Sequence, residues 1–154
     1  MTNITPMLWF DTNVLEVANF YATVFDDVTI HTQVASPDDS PMIVELTIGN
    51  QRLSLLNGGP HFTLNEAFSL TIHCKDQAEV DRYWNALTAD GGEESMCGWL
   101  KDKFGLSWQV TPVRLIELQS DPDPEVAQRV TQAMLQMKKL VIADLEEAAN
   151  AVPV

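Results

Sequence analysis

Any chemistry in this chain has to come from a small set of side chains. Three histidines, His31, His61 and His73, and two cysteines, Cys74 and Cys97, are the groups suited to metal ligation or nucleophilic attack. The histidines are far apart in sequence, and none makes a ligand-spaced pair with another. His73 and Cys74 are consecutive in "FSLTIHC", where successive strand side chains point to opposite faces, so they cannot share one ion. Cys97 precedes Gly98 with no His or carboxylate tied to it by spacing, and it reads as a packed thiol unless the fold brings a base to it. Glu45 and His73, each on the polar side of an alternating segment, are the two groups able to serve as acid or base if they meet inside a cavity.

The elements that carry these groups follow from periodicity. "ITPMLWF" reads as a strand, and "VLEVANFYATVF" as a helix with Leu15, Ala18, Phe20, Tyr21 and Val24 near one face. "VTIHTQV", "MIVELTIG" and "QRLSLLN" read as strands separated by the turn-rich "SPDDSP" and "IGNQR". After "NGGPHFTLNEA", whose glycines and proline suit a change of direction, the cycle restarts. "FSLTIHC" is a strand and "DQAEVDRYWNALTADGG" a helix, with Asp76 as its N-cap and Gly91 as its stop. Two or three further strands come from "ESMCGWL" and "LSWQVTP" around the "KDKFG" turn, in which Lys101, Asp102 and Lys103 are expected to be solvated. The expected fold class is α+β: two βαβββ modules, about 1–57 and 66–112, in a single domain with a helical tail at about 114–150. In that tail Pro122 and Pro124 open a helix striped by Val126, Val130, Ala133, Met134 and Met137, followed by a shorter one; the methionines read as packing.

Alternation assigns the faces. Ser69, Thr71 and His73 oppose Phe68, Leu70, Ile72 and Cys74; Ser107, Gln109 and Thr111 oppose Leu106, Trp108 and Val110. Glu45 and Thr47 oppose Val44, Leu46 and Ile48, and Arg52, Ser54 and Leu56 oppose Leu53 and Leu55. A polar second face is compatible with bulk water or with a wet cavity. If it is a cavity, the expected ligand-binding set is Trp9, Glu45, Ser54, Ser69, His73, Trp99 and Gln109, with Trp99 open between a lid and a core position.

Composition narrows the partners. The chain has 154 residues, 45% hydrophobic, enough to bury a core and fold alone. A net charge of -13, from 22 acidic and 9 basic residues, repels phosphate backbones and anionic lipid, so nucleic acid and membrane are not expected. The opening "MTNITPMLWFDTN" lacks the basic and apolar regions of a signal peptide, and no apolar run approaches the roughly 20 residues of a membrane span; a cytoplasmic setting with free thiols is expected.

The duplicated plan, "ITPMLWFD" with "ANFYATVF", "LNGGPHFTLNEAFSL", "CGWLKDKFGLSWQVTP" and "SDPDPEVAQRVTQAMLQMKKLVIADLE" together resemble the PhnB-like branch of the glyoxalase/bleomycin-resistance (vicinal oxygen chelate) superfamily, often labelled 3-demethylubiquinone-9 3-methyltransferase-like. The resemblance implies two βαβββ modules whose sheets curl around a cavity, a small-molecule ligand and a homodimer. Methyltransferase activity is not expected, because "TNVLEVANFY" after the first strand holds no glycine to cradle a nucleotide-like cofactor. The superfamily's four metal-ligand positions would fall at Thr5 or Ile4, Ser54, Ser69 and Gln109, the last placed by the "DKFG" turn. These are neutral, weak donors, so neither a metal nor another cofactor is expected. Three functions stay open: a metal-free small-molecule-binding protein or enzyme, a metal-dependent lyase, dioxygenase or resistance protein, and a non-catalytic interaction or regulatory protein.

Overall fold

The computed structural model describes residues 1–11 and 13–152. They form two compact units, Met1–Asn65 and a second from Glu66 onward. In the first, β1 (Met7–Phe10) leads through α1 (Val14–Val24) to β2 (Val28–Ala35), β3 (Pro41–Ile48) and β4 (Gln51–Asn57). The sheet order is β1-β4-β3-β2, with β1 parallel to β4 and the other pairs antiparallel. The second unit repeats this plan with β5 (Ser69–Cys74), α2 (Gln77–Thr88), β6 (Glu93–Glu94), β7 (Trp99–Lys101) and β8 (Ser107–Pro112). Its order is β5-β8-β7-β6, again with one parallel pair, β5 with β8. The chain is thus α+β, two mixed sheets followed by C-terminal helices.

Alternation builds the first core: Val44 and Leu46 of β3 and Leu53 and Leu55 of β4 are fully buried. The face that α1 buries is Val14, Val17, Ala18, Tyr21 and Val24, which corrects the expected stripe. Val14 and Val17 are buried whereas Leu15 and Phe20 are only half-buried, because spacings of three and four residues from Val14 make the continuous seam. Asn13 takes a left-handed conformation (φ 70°), and the helix start is satisfied from β4 instead. Asn57 Oδ1 accepts from Val14 N at 3.1 Å, and its Nδ2 donates to Pro41 O at 2.6 Å.

In the second unit Asp76 caps α2 as the sequence indicates, accepting from Glu79 N at 2.9 Å, while Glu79 Oε2 accepts from Lys75 N. Trp84 of α2 is buried with its indole N–H on Glu94 Oε1 at 3.0 Å. The KDKFG segment departs from the expectation of a solvated turn. Lys103 is exposed, but Lys101 is half-buried on β7 and Asp102 is 2% exposed. The Asp102 carboxylate accepts from Phe104 N, Leu106 N and Trp108 Nε1, so it organises the hairpin from within.

Beyond β8 come α3 (Val113–Gln119), which the periodicity does not announce, α4 (Pro124–Met134) and α5 (Ile142–Asn150). Leu115, Leu118, Val130, Leu140 and Leu145 form their core, with Val126, Met134 and Met137 packed against it. The tail is tied down through main chain: Cys97 N and Gly98 N donate to Met137 O and Lys138 O at 2.7 and 2.8 Å. Gly98 (φ 82°) permits this approach, since a Cβ there would stand 2.8 Å from Val110 O and 2.9 Å from Leu140 Cδ1. No described helix is long and apolar enough to cross a membrane.

Candidate functional site

The second sheet carries four of the expected site residues and brings three of them together. In its register Gln109 stands between Thr71 of β5 and Trp99 of β7, and Ser107 between Ser69 and Lys101. Directly paired residues project from the same side of a sheet, so these six share its polar face. Gln109 Nε2 donates to Ser69 Oγ at 2.9 Å. His73 lies further along β5, opposite Thr111, and is exposed.

At the Ser107 end of this face is a pocket of about 130 Å³ lined by Glu66, Glu93, Trp99, Lys101 and Ser107 among others. Trp99 is therefore a half-buried pocket wall. Lys101 Nζ meets Glu66 Oε1 at 2.7 Å; that contact holds the lysine above its ordinary pKa and the glutamate below its own. Ser107 is 1% exposed, and its Oγ has no hydrogen-bond partner among the described residues. Alternation had placed Ser107 on the polar face, but nothing in the sequence marks it as buried and unmatched.

The first sheet carries Trp9, Glu45 and Ser54. Glu45 is paired across the ladder with Ser54 and forms an ion pair with Arg52. Ser54 is only 4% exposed. On the same face His31 Nε2 and Thr47 Oγ1 are 2.6 Å apart. Trp9 is seated by the NGGPHF joint: its indole N–H donates to Gly59 O at 2.9 Å, Phe62 meets it edge-on at 5.0 Å, and Gly58 lies beneath the ring. Glu45 and His73, the candidate acid and base, belong to different units. Of the thiols, Cys74 is buried, and burial first, then Glu79 and Asp76, push it up to about 12, which suppresses the thiolate at neutral pH. Cys97 is half-buried.

Register also relates the two sheets as repeats. Aligned at the last pair of each parallel ladder, Phe10–Asn57 with Cys74–Pro112, Ser54 corresponds to Gln109, and Thr5, two residues before Met7, corresponds to Ser69. Ile4 is the mismatched alternative and is exposed. The four corresponding positions offer three hydroxyls and one amide, with no carboxylate or imidazole, and Ser69 and Gln109 bond to each other. Such donors do not fit a divalent first-row ion, which needs anionic or imidazole ligands to displace its water. Among the described residues no group of three or more His, Cys, Asp or Glu side chains is arranged to hold a metal.

Residues 2–111 match the family model described as 3-demethylubiquinone-9 3-methyltransferase, so α3, α4 and α5 lie beyond the match. Among solved structures, a PhnB protein from Bacillus cereus, with 3-demethylubiquinone-9 3-methyltransferase as its proposed assignment, is 26% identical, with a TM-score of 0.66 over 73% of this chain and 100% of that one. A protein from Pseudomonas aeruginosa is 24% identical, with a TM-score of 0.62 over 73% and 98%. A fosfomycin resistance protein from Listeria monocytogenes, complexed with Mn(II) and sulfate, shares the fold at 15% identity, with a TM-score of 0.50 over 70% and 88%. No curated protein sequence matches the chain.

Proposed function

The chain belongs to the PhnB-like branch of the glyoxalase/bleomycin-resistance superfamily, and from that premise we propose that it binds a small organic molecule without a metal ion on the polar face of its second sheet. The observation that carries this reading is the pairing of Gln109 with Ser69 beside the Trp99 wall: by the family resemblance these positions would hold the ligands of a metal-using member, and here they are a neutral amide and a hydroxyl. Gln109 can orient a ligand carbonyl through its amide without ionising, and Ser69 can turn its hydroxyl to donate or accept. The metal-dependent reading has a fold neighbour in the Mn(II)-bound fosfomycin resistance protein, but the donor set here argues against it. A methyltransferase is disfavoured by the same means as before: the link from β1 to α1 has no glycine, and neither sheet is doubly wound.

We also propose a homodimer. β1 and β5 are edge strands of their sheets, and Met7 and Phe68 are exposed in or next to them; a second copy would cover these apolar side chains. One native mass spectrum of the purified protein checks the assembly, ligand and metal content together. Twice the chain mass with an organic adduct and no stoichiometric ion is expected; a monomer mass removes the dimer, and a stoichiometric metal removes the metal-free reading.

Replacing Gln109 by leucine is expected to weaken binding of the adduct molecule by about 1–3 kcal/mol, because a ligand polar group is left unpaired, with little change in melting temperature. Calorimetric titration alongside thermal melts gives the answer. Unchanged affinity with a sharply lowered melting temperature would make Gln109 a structural residue and remove the support for this face.

A further inference from the structure

The pocket next to Gln109 holds charge of both signs around an unmatched buried hydroxyl. Glu93 and Lys101 are directly paired between β6 and β7, and Lys101 and Ser107 between β7 and β8, so a carboxylate, an ammonium and a hydroxyl stand in one row. Trp99 forms the wall, and Glu66 engages one side of Lys101. An ammonium has three protons to donate, and Glu66 takes one of them. A simple anion drawn to Lys101 would meet Glu66, Glu93 and Glu94, which also line the pocket, and a simple cation would leave the free donors of Lys101 and Ser107 unused. A ligand with both charges can set each against its opposite.

We propose that this pocket takes the zwitterionic end of a small amino acid-like molecule. Its anionic oxygens accept from Lys101 Nζ and Ser107 Oγ, its ammonium faces Glu93, and its carbon chain lies on Trp99. The proposal rests on the polar-face reading of the second sheet and adds a ligand class to it. Three observations converge on it. The Ser107 Oγ is buried with no partner among the described residues, a state that costs free energy unless a ligand or water supplies the bond. The volume of about 130 Å³ suits a molecule of a few heavy atoms. Charge-assisted hydrogen bonds to an ammonium are about twice as strong as neutral ones, so the Lys101 contact supplies selectivity for an anionic group over a neutral carbonyl.

The test is calorimetric titration of the full chain at neutral pH with 4-aminobutyrate and β-alanine, and with butyrate and butylamine as probes that carry one charge only. The zwitterions are expected to bind at least about tenfold more tightly than either single-charge probe. Lys101→Met should erase the advantage over butylamine. Ser107→Ala should weaken zwitterion binding several-fold while leaving the melting temperature unchanged or slightly raised, since it removes an unpaired buried hydroxyl. Butylamine binding as tightly as 4-aminobutyrate overturns the proposal, as does a Ser107→Ala protein that melts earlier yet binds normally. If no zwitterion saturates the protein while its co-purified ligand still titrates in a Gln109-dependent way, the ligand class falls and the polar-face reading stands. If the ligand ignores Gln109 as well, both fall.

Discussion

Asp102→Ala is expected to destabilise the second unit by about 2–4 kcal/mol and to lower the melting temperature by roughly 5–10 °C. The Asp102 carboxylate is nearly inaccessible to water and accepts hydrogen bonds from Phe104 N at 2.9 Å, Leu106 N at 3.1 Å and Trp108 Nε1 at 2.9 Å. Its main chain closes the same hairpin, with Asp102 N on Leu106 O and Gly105 N on Asp102 O. Removing the side chain takes the Asp102 acceptor away from the buried indole N–H of Trp108, and losing the acceptor of a buried donor costs more than the bond itself contributes. Asp102→Asn keeps one acceptor oxygen but presents an N–H to one side, so an intermediate loss is expected. The specific partner is identified by coupling: in a Trp108→Phe background, Asp102→Ala should cost distinctly less. Thermal melts and urea titrations of the four proteins measure this, and an Asp102→Ala protein melting within a degree of the parent would show that the hairpin does not depend on the carboxylate. Because Ser107 and Gln109 lie on β8 just past this turn, the loss should reach the candidate site as a loosening of its register.

The contrast between Asp102 and Asp76 shows what local sequence reveals. Asp76 precedes an amphipathic run with Glu79 three residues later, a signal read entirely within one turn, and the structure shows the cap. Asp102 sits between two lysines, so local pattern predicts a solvated turn; its burial depends on Trp108, whose inward direction matters only once β7 and β8 pair. The polar and apolar faces of β3, β4, β5 and β8 were legible because a period of two is a property of the strand itself. Helix α3 falls inside the expected helical tail, but not as a separate helix. "VRLIELQ" begins directly after β8 at Pro112 and has no Ser, Thr, Asp or Asn cap, so no local signal marks its start; packing into the tail core of Leu115, Leu118 and Val130 sets it apart from α4. The candidate site divides in the same way. Gln109 beside Ser69 was approachable from alternation and family resemblance, whereas the unmatched Ser107 hydroxyl is a fact of three-dimensional packing with no local signature.

Gly58→Ala is expected to destabilise the first unit by about 2–4 kcal/mol, through a contact between residues far apart in the chain. A Cβ on Gly58 would lie 2.1 Å from Trp9 Cε2, 2.3 Å from Cζ2 and 2.5 Å from Cδ2, inside the indole rather than against it. Neither side can withdraw freely. The Gly58 backbone is held by its N–H on Phe10 O at 2.9 Å, and the next residue by Gly59 N on Asp11 O at 3.2 Å. The indole is held by its own N–H on Gly59 O and by the edge-on Phe62 ring. Relief therefore requires displacing Trp9 and losing its hydrogen bond, or breaking the joint away from β1. Overpacking costs of about 1–3 kcal/mol, plus about 1 kcal/mol for a lost bond, give the stated range. Gly59→Ala is a different case: the nearest atom to its Cβ is His61 Cδ2 at 3.8 Å, so space is available, but φ of 84° strains a side chain by roughly 1 kcal/mol. Thermal melts should rank the two variants in that order, and the emission of Trp9 should shift toward that of exposed indole in Gly58→Ala alone. The cost of Gly58→Ala should fall to below about 1 kcal/mol when Trp9 is already leucine, since the atoms it strikes are then gone. An equal cost with and without the indole would mean that the glycine serves the turn and not the tryptophan, and Trp9 would then lose its claim to a fixed place on the first sheet's polar face.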